Sequence, residues 1–190
     1  LASGKLIVIT APSGSGKTTL VRRLLAACPH LEFSISACTR PPRNGERHAH
    51  DYYFYSEGEF KKLIAEDAFV EWEMVYTGKY YGTLKAELNR IWEAGRVPLV
   101  DIDVQGALAV SGRYPDNSLT IFIEAPSIDV LRERLKARGT ETAHSLEERI
   151  SKAETELTFA PRFNKIIIND ELERATADLL HVVDEFTGCL

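Results

Sequence analysis

The chain has 190 residues, 44% of them hydrophobic and 27% charged, with 12 glycines and 8 prolines. That is ordinary globular composition. It excludes collagen-like, low-complexity and disordered chains, and one compact domain of this length buries roughly 70% of its unfolded surface without staples. A net charge of −5 argues against coating nucleic acid or an anionic membrane by bulk charge.

The three cysteines, Cys28, Cys38 and Cys189, are widely spaced and show no zinc pattern, which suggests a reducing compartment. No apolar run approaches the ~20 residues of a membrane span, and the N-terminus lacks the apolar stretch of a signal peptide. The expectation is a cytoplasmic protein.

In chain order, Leu6-Ile7-Val8-Ile9-Thr10 reads as a buried strand bounded by turn residues. Residues 18–27 place Leu20, Val21, Leu24 and Leu25 at helical spacing and stop before Pro29. Further strands are expected at 97–103, 119–123 and 165–169. Helices are expected at about 56–66, 84–95, 127–138, 145–159 and 171–186. Strands alternating with helices predict an α/β fold in three layers around a parallel sheet.

Two segments break that alternation. Residues 34–83 hold six tyrosines with Arg40, Arg43 and Arg47, too polar a set for a core, and residues 127–155 are helical but arginine-rich. Both read as insertions closing over a site, on a single domain whose core is about 1–33, 84–126 and 156–190.

Residues 11–18 read Ala-Pro-Ser-Gly-Ser-Gly-Lys-Thr, close to G-x-x-x-x-G-K-[ST] with Ala11 at the first glycine. A strand before and a helix after supply the context of a phosphate-binding loop. Gly14 and Gly16 let backbone N–H groups turn toward a phosphate, and the helix start aims its positive dipole end there. Lys17 would reach the β- and γ-phosphates, and the Thr18 hydroxyl would hold Mg²⁺. Alanine at position 11 suffices if its φ is negative. The bland reading is a glycine-rich turn, and even the strong one says little about the acceptor.

The acceptor is addressed by Ser36-Ala37-Cys38-Thr39-Arg40-Pro41-Pro42-Arg43-Asn44-Gly45-Glu46, then Asp51-Tyr52-Tyr53-Phe54 and Phe69-Val70-Glu71-Trp72. Tyr80-Tyr81-Gly82-Thr83, Asp101-Ile102-Asp103-Val104-Gln105-Gly106 and Arg138-Gly139-Thr140-Glu141 follow. In this order, across about residues 6–170, the set closely resembles the guanylate kinase family. The resemblance implies a P-loop NTPase core with a GMP-binding arm at 34–83 and a lid at 127–155, transferring the γ-phosphate of ATP to GMP or dGMP with Mg²⁺. Nucleic acid and membrane are not expected partners.

It further implies ATP binding by Ala11, Pro12, Ser13, Gly14, Ser15, Gly16, Lys17, Thr18, Thr19 and Asn169. Ser36, Glu71, Thr83 and Asp103 match the family's guanine contacts. Arg40, Arg43, Tyr52 and Tyr81 would hold the GMP phosphate, with Glu46 supporting the arm.

The residue chemistry agrees. Guanine presents N1–H and N2–H donors beside the O6 acceptor, so a pocket for it needs carboxylates and a hydroxyl donor. Paired guanidinium groups suit a phosphate monoester. Arg134 and Arg138 lie four residues apart on one helix face, with Arg149 opening toward them, as a lid over a transferring phosphoryl group requires. Lys17, Arg40, Arg134, Arg138 and Arg149 are thus the expected catalytic set. Asp101 and Asp103 alternate along a strand and share a face, Asp101 in the metal's water shell.

Each assignment has a bland counterpart. Glu71 and Asp103 would serve as partners of nearby arginines, and the lid arginines would pair with Glu133, Glu147 and Glu148. His48-Ala49-His50-Asp51 reads as a solvated loop, Cys38 as a buried thiol, and Trp72 and Trp92 as packing. Two competing functions are a non-catalytic phosphopeptide-binding module of this fold and a kinase for another small phosphate ester.

Overall fold

The computed structural model describes residues 4–137 and 143–188. The chain runs β1 (Leu6–Thr10), α1 (Lys17–Ala27), β2 (Leu31–Phe33), β3 (Ala37–Cys38), β4 (Tyr53–Phe54), α2 (Glu57–Ala65), β5 (Phe69–Tyr76) and β6 (Lys79–Leu84). It continues with α3 (Lys85–Glu93), β7 (Val97–Asp101), α4 (Val104–Arg113), β8 (Ser118–Glu124), α5 (Ile128–Ala137), α6 (Ala143–Leu157), β9 (Lys165–Ile168) and α7 (Leu172–Thr187).

Every residue of β1 is buried, and its side chains alternate between two cores, as a strand covered on both faces requires. Ile7 and Ile9 pack with Leu20, Leu24 and Leu179 on one side; Leu6 and Val8 pack with Leu88, Ala107 and Phe122 on the other. The central sheet has the order β2-β7-β1-β8-β9, all parallel. The expected three-layer α/β architecture is what the chain adopts. Among the described residues no helix is long and apolar enough to cross a membrane.

The structure corrects the reading of residues 34–83 as too polar for a core. They form a second sheet, β4-β3-β6-β5, in which α2 closes a small core of Ala37, Phe60, Phe69, Tyr80 and Leu84. Phe60 stacks on Phe69 with ring centroids 4.4 Å apart. Of the six tyrosines, Tyr80 belongs to this core and Tyr53 and Tyr55 pack against it, whereas Tyr52 and Tyr81 face the cleft. Trp72, expected to pack, lies 6.0 Å from the Tyr80 ring on the face of that core, but is 46% exposed because β5 is the edge strand.

α4 was not expected from the sequence. Its stretch VQGALAVSGR holds two glycines and a serine, poor helix formers. The signal that marks it is Asp103, which caps the helix by accepting from Gly106 N–H at 2.7 Å. It follows that the expected strand ends at Asp101, and Asp103 does not share a strand face with it. α5 and α6 pack on each other through Leu131, Leu135, Leu146 and Ile150, a fourth, separate core.

Candidate active site

A cleft of about 520 Å³ opens at the C-terminal ends of β1 and β7, between the central sheet, the second sheet and α6. Open parallel sheets place ligands at that end. The loop from Ala11 to Gly16 forms its floor. Gly14 and Gly16 have φ of 94° and 89°, values that glycine adopts without strain. Ala11 keeps a negative φ, as expected for alanine in that position. A Cβ on Gly16 would lie 2.2 Å from Asn169 Nδ2, which itself donates to Ser15 O at 2.7 Å. Asn169, at the end of β9, thereby holds the loop closed from behind. No side chain caps the first turn of α1, so its N–H groups face the cleft as an anion site.

Lys17 projects into the cleft and pairs with the Asp101 carboxylate at the end of β7. Thr18 lines the same space. Asp101 was expected in a metal's water shell; here its carboxylate balances the lysine. Ser15 is buried beneath the loop, its hydroxyl without a hydrogen bond among the described residues.

On the opposite wall β5 carries Glu71, whose Oε1 accepts from the Thr83 hydroxyl at 2.6 Å. The bland pairing with an arginine is not what Glu71 makes. Burial pushes its carboxyl up to about 7, against the Thr83 hydrogen bond, with the nearby Asp103 charge adding to the rise. Gly106 permits this approach, since a Cβ there would lie 3.0 Å from Glu71 Oε2. Thr83 is 1% exposed and lies behind Glu71, so its hydroxyl orients that carboxylate rather than lining the cleft. Ser36, Tyr52, Tyr81 and Asp103 do line it.

Arg40, Arg43 and Glu46 stand on the rim. Arg40 makes a bidentate pair with Glu46 at 2.6 and 2.8 Å, and its guanidinium lies 4.8 Å from the Tyr52 ring centroid. The Arg43 N–H also donates to Glu46, while its side chain is exposed. These two donors hold the Glu46 carboxyl well below the usual range.

The arginines of the helical pair do not converge. Arg149 donates to Ser13 Oγ at 3.2 Å in the main cleft. Arg134 lines a groove behind the loop with Thr19 and Asn169, donating to Asn169 O at 2.8 Å while its Nη1 is buried without a partner among the described residues. Arg138 lies outside the described residues. The neighbouring acids are taken by other cations, Glu147 by Arg132 and Glu133 by Lys136.

Three charged cleft residues were missed. Glu73 follows Glu71 by two along β5 and so shares its face. It lies against the Asp103 carboxylate, and a proton shared with that group, together with burial, pushes Glu73 up to about 7. Lys152 and Glu156 follow Arg149 at helical spacing on α6 and line the cleft opposite. Strand and helix periodicity were the signals available.

The loop and its lysine thus face a wall of carboxylates across the cleft. Residues 3–186 match the guanylate kinase family model. The chain belongs to the guanylate kinase family. A guanylate kinase of Bacteroides fragilis is 50% identical over 184 residues, 97% of this chain and 90% of its own length. One from Neisseria gonorrhoeae is 46% identical over 181 residues, 95% of this chain and 87% of its own. The crystal structure of guanylate kinase from Anaplasma phagocytophilum superposes with a TM-score of 0.74 at 25% identity, covering 97% of this chain and 87% of that one. Shikimate kinase from Bacteroides thetaiotaomicron shares the fold alone, at 18% identity and a TM-score of 0.52 over 97% of this chain and 98% of its own. As a member of the guanylate kinase family this chain is a nucleoside monophosphate kinase.

Proposed function

We propose that this enzyme transfers the γ-phosphate of ATP to GMP or dGMP, giving ADP and GDP or dGDP, in cytoplasmic purine nucleotide metabolism. The observation that carries the reading is Glu71, a carboxylate recessed in the cleft wall with a hydroxyl donor behind it and Asp103 beside it. Guanine turns N1–H and N2–H donors toward such a group, whereas adenine turns a bare N1 acceptor.

In this reading Glu71 and Asp103 accept from the guanine edge, and Ser36 donates to O6. Arg40, Arg43, Tyr52 and Tyr81 receive the GMP phosphate, with Glu46 holding Arg40 in place. The loop from Ala11 to Thr19 wraps the ATP phosphates, and Asn169 and Arg134 flank the adenosine side. An oxygen of the GMP phosphate attacks the γ-phosphorus in line as the bond to the β-phosphate oxygen breaks and ADP leaves. Lys17 exchanges Asp101 for the β- and γ-phosphate oxygens, while Arg149 and Arg138 meet the charge on the equatorial oxygens.

The donor set also fits Mg²⁺, which takes hard oxygen ligands and relies on substrate phosphates. Thr18 offers a direct hydroxyl and Asp101 a carboxylate for its water shell. When bound, the ion neutralises phosphate charge.

The test is ADP release with GMP, dGMP, AMP, UMP or no acceptor. GMP and dGMP are expected to be turned over, with kcat/KM for AMP and UMP lower by ~10⁴-fold. Equal turnover of AMP overturns the assignment.

A further inference from the structure

Glu87, in the first turn of α3, lies outside the cleft and is 2% exposed. A buried carboxylate is costly unless every lone pair is matched, and here four donors match it. Oε1 accepts from Ile35 N–H at 3.1 Å and from Arg90 Nη2 at 2.9 Å. Oε2 accepts from the Tyr53 hydroxyl at 2.8 Å and from Arg90 Nε at 3.0 Å. Arg90 is anchored in turn, since its Nη2 also donates to Glu32 at 2.7 Å, and Glu32 sits on β2 of the central sheet.

The partners are what make this more than packing. Ile35 precedes Ser36, Tyr53 follows Tyr52, and Glu87 lies in the first turn of the helix that leaves β6 just after Thr83. Tyr53 N–H donates to Ser36 O at 2.9 Å, so Ile35, Ser36, Tyr53 and Glu87 close a ring of bonds. Three chain segments, each carrying a neighbour that lines or braces the acceptor pocket, are tied to one carboxylate. That carboxylate is tied to the central sheet through Arg90. An apolar side chain would hold α3 against the sheet equally well; it would not register these segments against one another.

We propose that Glu87 is a positioning residue for the acceptor nucleotide. It sets Ser36, Tyr52 and the Thr83–Glu71 pair at fixed separations at the root of the arm. The proposal rests on the reading of the cleft as a GMP site.

Tyr53→Phe removes one hydroxyl and keeps the ring, and Glu87→Ala removes the hub. KM for GMP is expected to rise about threefold in the first and about tenfold or more in the second, less than the full worth of the lost hydrogen bonds because Glu87 reaches the nucleotide only through its neighbours. KM for ATP and kcat at saturation stay within twofold. In the Glu87→Ala background, Tyr53→Phe has no further effect on KM for GMP.

A purely structural role predicts the reverse: lower melting temperatures with KM for GMP unchanged, or both Michaelis constants rising together. Either result overturns the proposal. Should Glu87→Ala fail to fold, Tyr53→Phe decides, and an unchanged KM for GMP refutes the positioning role. If the unmodified chain turns over GMP and the variants leave its KM unchanged, only the positioning role is lost. If the unmodified chain does not use GMP, the functional reading fails and this proposal falls with it.

Discussion

At the scale of single residues, Glu71 concentrates the conflict between stability and recognition. Its carboxyl stands near 7 rather than near 4.5 because burial opposes its charge. The folded chain thus binds a proton there that the unfolded chain releases between those values. The stabilisation from that proton is complete below about 4.5 and is lost as pH rises through about 7. Glu71→Gln removes the charge at constant volume. We expect its melting temperature without ligand to exceed that of the unmodified chain by about 2–4 °C at pH 8, as ~1 kcal/mol would give in a chain of this length, and to match it at pH 4. The same variant should lose ~10²-fold in kcat/KM for GMP, because a donor then faces a donor. A drop of less than about threefold with unchanged stability would remove Glu71 from the pocket. Guanine's N–H groups favour the ionised carboxylate, so GMP binding near pH 7 should release protons, which calorimetry in two buffers of different ionisation heat measures. Lys17 supplies the second residue-level test. Its ion pair with Asp101 is partly exposed, so Lys17→Ala should cost little stability. It should lower kcat by ~10²–10³-fold, the loss of one preorganised donor to the transferring charge, while GMP still binds. Retention of a tenth of the turnover rules out its phosphate role.

Among the elements, the loop between β1 and α1 is the most demanding. Gly16 combines a left-handed backbone with the approach of Asn169. Gly16→Ala must displace the amide that closes the loop onto Ser15 O. We expect KM for ATP to rise at least ~10-fold and the melting temperature to fall by about 4–8 °C, from ~2 kcal/mol of left-handed strain and lost contact. GMP affinity, set by the other wall, should stay within twofold. An ATP constant equal to that of the unmodified chain would show that the loop shape does not matter to nucleotide binding. This loop was legible in the sequence because its geometry is local: glycine where φ is positive, lysine and threonine at the helix start. α4 was not, because its two glycines mask a helix that Asp103 starts and burial against β1 and β8 completes. The short strands of the second sheet were also hidden. β3 and β4 have two residues each, too few for periodicity to register.

For the whole molecule, the arm carries Arg40 and Arg43, while α6 carries Arg149 and Lys152. Each unit has its own small core, separate from the two cores of the central sheet. Separate cores let a unit move without opening the others, so each ligand biases the unit whose charges it meets. GMP should draw in the arm, and ATP the helical pair. Solution scattering with GMP and a non-hydrolysable ATP analogue together should show a smaller radius of gyration than the free chain. An unchanged radius would count against closure.

The sequence alone determined the alternation of buried strands and helices, the phosphate loop, and which residue types stand in which order along the chain. These depend on spacing within a few residues, where periodicity and turn chemistry act. The tertiary structure alone decided which charges meet. It put Thr83 behind Glu71, Glu73 against Asp103, Lys17 on Asp101, and Arg134 and Arg149 in different recesses. It also gathered Ile35, Tyr53 and Arg90 on Glu87. Those pairings join segments distant in the chain. Burial and electrostatic partnership come from packing between elements, which no local pattern encodes.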